Sequence, residues 1–370
     1  MSEIAGGLYS PGRLTAVADA ARAAGLDALF LTRGPDLRYV IGYDATPFER
    51  LTCLVVPADS APFLVLPGFE LATAQASPAS GLGVELVAWD ENEDPFAIIA
   101  SRTGAIASVG LSDQMWASNV FNFRRVLPGT RQELASKALR GLRMRKSAAE
   151  IAALRDASAA IDRALAQVPG MLQPGRTEQA VAAGVADVML AEGHARVDFT
   201  FVASGPNAAS PHHDPSGRAL CQGDVVVVDI GGTMPTGYCS DCTRTYAMGR
   251  PPAEFAQYYA VLKDAQQAAR ESVRPGVSAE AVDAAARDVI AAAGYGEWFI
   301  HRTGHGIGLE THEDPYIIAG NTEPLEPGMV FAVEPGIYPC AHGARIEDIV
   351  VCTDTGAESL NNAGRELVVV

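Results

Sequence analysis

Three histidines fall within twelve residues of this chain, His301, His305 and His312, in the string His301-Arg302-Thr303-Gly304-His305-Gly306-Ile307-Gly308-Leu309-Glu310-Thr311-His312. His305, with glycine on both sides, is the best placed nitrogen ligand. The glycines at 304, 306 and 308 predict close approach of the backbone to a bound group. His301 and His312 are then free for proton or hydrogen-bond work near neutral pH. Two acid pairs flank this string. In Val225–Ile230 and Cys239–Thr245, two strand-like runs surround a turn containing Pro235 and Gly237, which predicts a hairpin with Asp229 and Asp241 nearly opposite one another. A second hairpin, Phe331–Tyr338 returning through Ala344–Asp348, sets Glu334 opposite Glu347 when Tyr338 pairs with Gly343. Like charges facing across a ladder about 4.5–5.5 Å apart are destabilising. A divalent cation resolves both conflicts, because carboxylate oxygens are its preferred hard ligands. Arg345, two positions from Glu347, shares its face, either as a plain ion pair or as a group positioned toward the site and its substrate.

The elements that must hold these residues are readable in outline. From Ser147, apolar residues at three- and four-residue steps (Ile151, Leu154, Ala157, Ile161, Leu165, Val168) predict an amphipathic helix. Thr177 caps a second helix ending at Gly193; a third covers Ala253–Ser272 and a fourth runs from Ser278 to Gly294. Strands are expected at Val197–Ala203, Val225–Val228, Met329–Glu334 and Arg345–Cys352, so helix pairs interleave with antiparallel strands in an α+β domain. Before residue 146 the pattern is α/β: strands at Leu26–Leu31, Thr52–Val56, Phe63–Leu66 and Ala107–Leu111, helices at Leu14–Ala24 and Ala117–Val126. The expected division is 1–145 and 146–370. The clustered positive charge from Arg124 to Lys146 reads as a solvated helix and linker face, or else as a contact surface.

Composition narrows the partners. The chain has 370 residues and a net charge of −16, with its seven histidines all beyond residue 193. Nucleic acid is excluded as a general partner, since phosphate contact needs clustered Lys and Arg. No apolar run approaches the ~18 residues of a membrane span, and no signal peptide is evident, so a cytoplasmic protein is expected. Cys53, Cys221, Cys239, Cys242, Cys340 and Cys352 are too scattered to staple the fold and read as reduced thiols. Cys239-x-x-Cys242 is not read as a redox pair: strand alternation points the two cysteines to opposite faces.

The order Asp229, Asp241, His305, Glu334, Glu347, within Ser240-Asp241-Cys242-Thr243-Arg244-Thr245, Gly304-His305-Gly306-Ile307-Gly308 and Glu334-Pro335-Gly336, resembles the methionine aminopeptidase, prolidase and creatinase family. The resemblance spans about residues 147–370. It implies a C-terminal pita-bread catalytic domain preceded by a smaller, creatinase-like α/β N-terminal domain. It also implies two divalent ions per chain held by those five residues. Within the family the chain is similar to bacterial Xaa-Pro dipeptidases: Ser204-Gly205-Pro206-Asn207 followed by Pro211-His212 matches the segment that supplies a substrate-facing histidine, here His212 and not His213. His301, His312 and Arg345 match active-site groups of the prolidase and aminopeptidase P branch. The Asp229–Asp241 hairpin is one residue longer than is usual there.

The implied chemistry is metal-assisted amide hydrolysis before proline in a small peptide with proline at its second position. Glu334 acts as ligand and proton carrier, and His312 as hydrogen-bond donor to the developing negative charge. His212, His301 and Arg345 position the substrate, with Arg345 reading a charged end or steadying Glu347. The oxygen-rich set favours Mn²⁺, with Co²⁺, Zn²⁺ and Fe²⁺ as other occupants, and the resemblance implies a homodimer. Aminopeptidase P activity on longer Xaa-Pro peptides, or a small-amide hydrolase of the same fold, such as an ectoine-hydrolase-like enzyme, are the competing readings.

Overall fold

The computed structural model describes residues 7–339 and 341–370; Cys340, read above as a thiol, lies outside them. The chain forms two compact units, Met1–Arg143 and Met144–Val370.

In the first unit the strands β1 (Ala28–Thr32), β2 (Cys53–Pro57), β3 (Phe63–Pro67), β4 (Glu85–Trp89), β5 (Ser108–Leu111) and β6 (Arg131–Leu134) form one mixed sheet in the order β4-β3-β2-β1-β5-β6. Helices α1 (Pro11–Ala23), α2 (Pro35–Ile41), α3 (Leu71–Gln75), α4 (Pro95–Thr103) and α5 (Ala117–Val126) accompany it, and α6 (Ser136–Met144) leads into the second unit. Phe96, Ile99 and Phe123 pack on Phe30, Val55 and Val109 of the sheet. The α/β reading holds here, with α2, α3, α4, α6, β4 and β6 as additions. β4 and β6 are edge strands of mixed burial without the continuous apolar run that marks a central strand.

The second unit is built twice over from a helix pair laid on an antiparallel ladder. Helix α7 (Ala148–Leu165) starts with a capping box between Ser147 and Glu150, and α8 (Glu178–Ala191) is capped by Thr177. Their apolar stripes, through Ile161, Val181, Val185 and Met189, bury against Val226, Val228, Ile230 and Cys242. Those residues come from β8 (Val225–Thr233) and β9 (Cys239–Ala247), in a sheet ordered β17-β9-β8-β7 with β7 (Arg196–Ser204) and β17 (Val368–Val369). Helices α9 (Ala253–Ser272) and α10 (Ala279–Ala292) do the same for a second sheet, burying Phe255, Leu262, Val282 and Ile290 against Phe331, Val333, Val350 and Cys352. That sheet runs β11-β10-β12-β15-β16, from β10 (Gly304–Gly306), β11 (Glu313–Ile317), β12 (Val330–Val333), β15 (Asp348–Thr353) and β16 (Gly356–Ser359). A short ribbon of β13 (Gly336–Ile337) and β14 (Ala344–Arg345) continues the β12/β15 hairpin.

Alternation decides what faces inward. With Val226, Val228 and Ile230 turned to the helices, Asp229 must point the other way; with Cys242 and Tyr246 on the helices, so must Asp241 and Thr243. Phe331 and Val333 face α9 and α10, which turns Glu334 to the opposite side. Each half therefore presents its acids on the face away from its helices.

Two expectations need correcting. The β8/β9 turn closes through Met234 N–H to the Tyr238 carbonyl and Gly237 N–H to the Met234 carbonyl, with Gly237 at φ +92°. This centres the hairpin on Thr236, one residue past Pro235, so Asp229 pairs with Thr243 and Asp241 with Gly231. The aspartates are diagonal neighbours, not facing ones; the two-residue offset keeps both on one face. The C-terminal end of the basic stretch is also not solvated. Arg143 pairs with Asp36 at 2.9 Å and Lys146 with Glu313 at 2.6 Å, both pairs largely buried, since a charge removed from water needs a partner.

Candidate metal centre

The second hairpin has the register expected of it. Val333 pairs with Asp348 on one side and Gly336 with Arg345 on the other, which leaves Glu334 and Glu347 across from each other at the break between the two ladders. Pro335 follows Glu334 and cannot donate to a ladder, which is a physical reason for the break.

Asp229, Asp241 and Glu347 offer oxygen atoms within 4.8 Å of one another, as do His305, Glu334 and Glu347 with their nitrogen and oxygen atoms. His305 Nε2 lies 3.4 Å from Glu334 Oε1 and 3.7 Å from Asp241 Oδ2. Its Nδ1 donates to the Gly306 carbonyl at 3.1 Å, which leaves Nε2 with a lone pair toward the acids. Burial, and then the neighbouring His312, hold His305 well below the usual imidazole range. The glycines beside it serve the protein instead of a ligand: a Cβ at Gly304 would meet the Ala332 carbonyl and one at Gly306 the Asp314 carbonyl. Neighbouring backbone fills the space that was expected to admit a bound group.

The acids carry more charge than the protein answers. Burial, reinforced by Glu347, Asp229 and Glu334, pushes Asp241 well above the carboxylate range. Burial and then Glu334 and Asp229 do the same to Glu347, and burial raises Glu334 to about 8. Asp229 Oδ1 and Glu347 Oε1 are buried with no hydrogen-bond partner. Two orphaned oxygens, three acids held toward their neutral form and an imidazole lone pair are what a hard divalent cation would satisfy, and the residues fit one.

Among the described residues Arg345 is the one guanidinium deep in this cluster, and most of its donors are engaged. It ion-pairs Asp229, donates from Nε to Thr243 Oγ1 at 3.2 Å, and from Nη1 to Tyr338 Oη at 2.6 Å and the Pro211 carbonyl at 3.1 Å. None of these bonds goes to Glu347 directly; Arg345 acts on it as a neighbouring positive charge and through Thr243. Glu347 is held by Thr243, whose hydroxyl donates to Oε2 at 2.7 Å. His301 is not free either. Its Nδ1 donates to the Arg302 carbonyl at 2.7 Å, so Nε2 accepts from Tyr338 Oη at 3.0 Å. Burial, then Arg345, lowers its pKa to about 4, which keeps it neutral.

A cavity of about 840 Å³ opens over these groups, lined by His212, His301, His305 and His312 and walled by Phe199, Phe201, Ile300 and Ile318. His212 stacks on Phe201 with centroids 5.7 Å apart, whereas His213 turns to Glu178 at 3.3 Å. The His312 ring sits 3.9 Å from that of His305, and its Nδ1 faces Arg302 Nη2 at 3.3 Å. Arginine can only donate, so Nδ1 accepts and His312 keeps its proton on Nε2. His194 and His342 bond Ser240 and Tyr258 away from the cavity. The cysteines of the CxxC string are buried, and burial raises the Cys239 thiol to about 11 and Cys242 well above its usual range. Neither is the thiolate that redox exchange requires.

Thr243 and Tyr338 escaped the sequence reading. Both carried a signal: Thr243 is two residues from Asp241 and Tyr338 four from Glu334, positions that strand alternation places on the same face.

Comparison with known proteins agrees with this geometry. Residues 152–354 match the model of metallopeptidase family M24, and residues 13–145 match that of the creatinase/prolidase N-terminal domain. A protein named probable dipeptidase PepE, from Mycobacterium tuberculosis, is 53% identical over 97% of this chain and 96% of its own. An Xaa-Pro dipeptidase from Lactobacillus helveticus is 35% identical over 93% and 95%. The crystal structure of dipeptidase PepE from Mycobacterium ulcerans superposes with a TM-score of 0.92 at 54% identity, covering 97% of both chains. The sequence resemblance is thus borne out, and with it the α+β pita-bread architecture behind a creatinase-type N-terminal domain: the chain belongs to metallopeptidase family M24.

Proposed function

We propose that the protein hydrolyses the amide bond before proline in Xaa-Pro dipeptides, using two divalent cations held by Asp229, Asp241, His305, Glu334 and Glu347. The carrying observation is the excess of buried carboxylate, two of its oxygens unpartnered, beside the His305 lone pair at the floor of a cavity suited to a small peptide. The names of its relatives support the substrate class. Mn²⁺ suits a set with four carboxylates and one imidazole. When bound, such ions supply Lewis acidity toward the scissile carbonyl and the attacking water.

The chain's own groups do the rest. Glu334 is the most exposed of the cavity's acids, at 16% against 9% for Asp229 and 4% for Asp241. It is placed to take a proton from the attacking water and deliver it to the leaving proline nitrogen. His312, with Nε2–H available, donates to the negative charge that grows on the carbonyl oxygen. His212, against Phe201, positions the substrate from the opposite wall. Arg345 and His301 act through others: the chain His301–Tyr338–Arg345 fixes Asp229. Residues 1–145 form the accessory domain and 146–370 the catalytic one, in a homodimer. The free, described cysteines fit a reducing, cytoplasmic compartment; no helix among the described residues is long and apolar enough to cross a membrane.

The test is cleavage by Mn²⁺-loaded protein of Xaa-Pro dipeptides against Xaa-Pro-Yaa tripeptides. Dipeptides should be split and tripeptides barely touched. Equal or faster tripeptide cleavage would establish an aminopeptidase P, and cleavage of neither would turn attention to small amides.

A further inference from the structure

Glu178 is the first residue of α8, yet its carboxylate does not serve that helix. Thr177 already caps it, accepting from Ala180 N–H. Glu178 is completely buried and turns to the segment 204–216, which has little regular structure beyond the turn Gly205–Ala209. Oε1 accepts from the Ser204 N–H and hydroxyl, each at 2.7 Å. Oε2 accepts from the Ser216 N–H at 3.0 Å and its hydroxyl at 2.6 Å. The Asn207 amide donates to both oxygens at 3.1 Å. One carboxylate therefore ties the start of the segment to its end, and His212 sits between. Burial alone would raise this carboxyl group; the bonds from Ser216 and Ser204 outweigh it and hold Glu178 below its usual range. A buried carboxylate that needs six hydrogen bonds is a costly way to fill space. What it provides is a fixed loop.

We propose that Glu178 is a positioning residue for peptide hydrolysis, clamping both ends of segment 204–216 so that His212 meets the substrate in one geometry. This rests on the assignment of His212 to the substrate. Two further contacts complete the hold, the Phe201 ring under His212 and Arg345 on the Pro211 carbonyl. Only the Glu178 clamp is separate from the metal cluster, so it can be released without disturbing the ligands.

Glu178→Gln keeps the volume but places an NH₂ against donors at one end of the segment. In the Mn²⁺-loaded protein it should lower kcat/KM for an Xaa-Pro dipeptide by ~10- to 100-fold, the scale of a small misplacement. In a His212→Ala background the same substitution should change kcat/KM less than about twofold, because nothing is left to position. Metal content per chain should not change. Ser216→Ala, which removes one hydroxyl from the clamp, gives the same cycle in milder form should Glu178→Gln fold poorly. Full additivity of Glu178→Gln with His212→Ala, or loss of metal, would overturn the clamp while leaving the peptidase reading intact. If His212→Ala alone left kcat/KM unchanged, the clamp and the role of His212 would fall together.

Discussion

Two polar clusters lie back to back where β9 meets the hairpin that ends in β15, and the adjacent residues Glu347 and Asp348 belong one to each. Glu347 faces the site with Asp229, Asp241 and Glu334, four acids against the single guanidinium of Arg345. Asp348 faces the other way and is answered in full: Arg244 donates to it at 2.7 Å, Arg365 at 2.5 Å and Gln266 of α9 at 2.8 Å. Both clusters are buried and both are hydrogen-bonded. They differ in the sign of what is left over. Behind the site two guanidiniums meet one carboxylate and no Asp348 oxygen lacks a donor; in the site, carboxylate oxygens remain without one. A buried charge that is satisfied belongs to the scaffold, and one that is not marks where an ion is to go.

The largest effect that tests this contrast is on the site side. Asp241→Asn keeps the shape of the side chain and removes its charge. Bound metal should fall below two ions per chain by elemental analysis, and dipeptide hydrolysis should fall by well over ~10²-fold, more than the loss of an outer partner of a ligand costs. Retention of full activity would remove Asp241 from the centre.

Behind the site the same kind of change should act on the fold. Asp348→Ala takes from buried Arg244 the carboxylate it ion-pairs with. Breaking such a pair costs about 3–5 kcal/mol. The unfolding free energy from denaturant titration should drop by that amount with or without Mn²⁺, and the protein that stays folded should still bind metal. If Asp348→Ala instead lost metal at unchanged stability, the line between the two clusters would be misplaced.

The acids of the site were legible in the sequence because their chemistry is local. Pro335 and the short Tyr338–Gly343 closure fix the Glu334–Glu347 register by counting. Counting failed by two residues at Asp229–Asp241, since the turn centre moved to Thr236, yet the period of two kept both side chains on the right face. The partner of Arg345 was not legible. Asp229 is 116 residues away, and only the packing of one half-domain on the other brings them together. The glycines around His305 misled for the same reason, their crowding coming from Ala332 and Asp314 on neighbouring strands. In the first unit the missed strands β4 and β6 are edges of mixed burial, without the continuous apolar run that marks a central strand.

The smallest effect is the most discriminating, because its sign inverts between the clusters and between conditions. Asp241 is held toward its neutral form by burial and by three neighbouring acids, so its charge works against the fold whenever no cation answers it. In protein stripped with a chelator, Asp241→Asn should therefore raise stability, by on the order of 1 kcal/mol, the equivalent of one pKa unit. In protein saturated with Mn²⁺ it should lower stability, since metal binding to the native state is then lost as a source of stabilisation. Asp348→Ala has no such crossover, for its partners are fixed protein groups. Thermal melts of the two variants with and without metal give four numbers, and the contrast requires that only Asp241→Asn change sign. A loss of stability for Asp241→Asn in the stripped protein would mean that the site is already balanced by protein charges, and the distinction between the two clusters would rest on geometry alone.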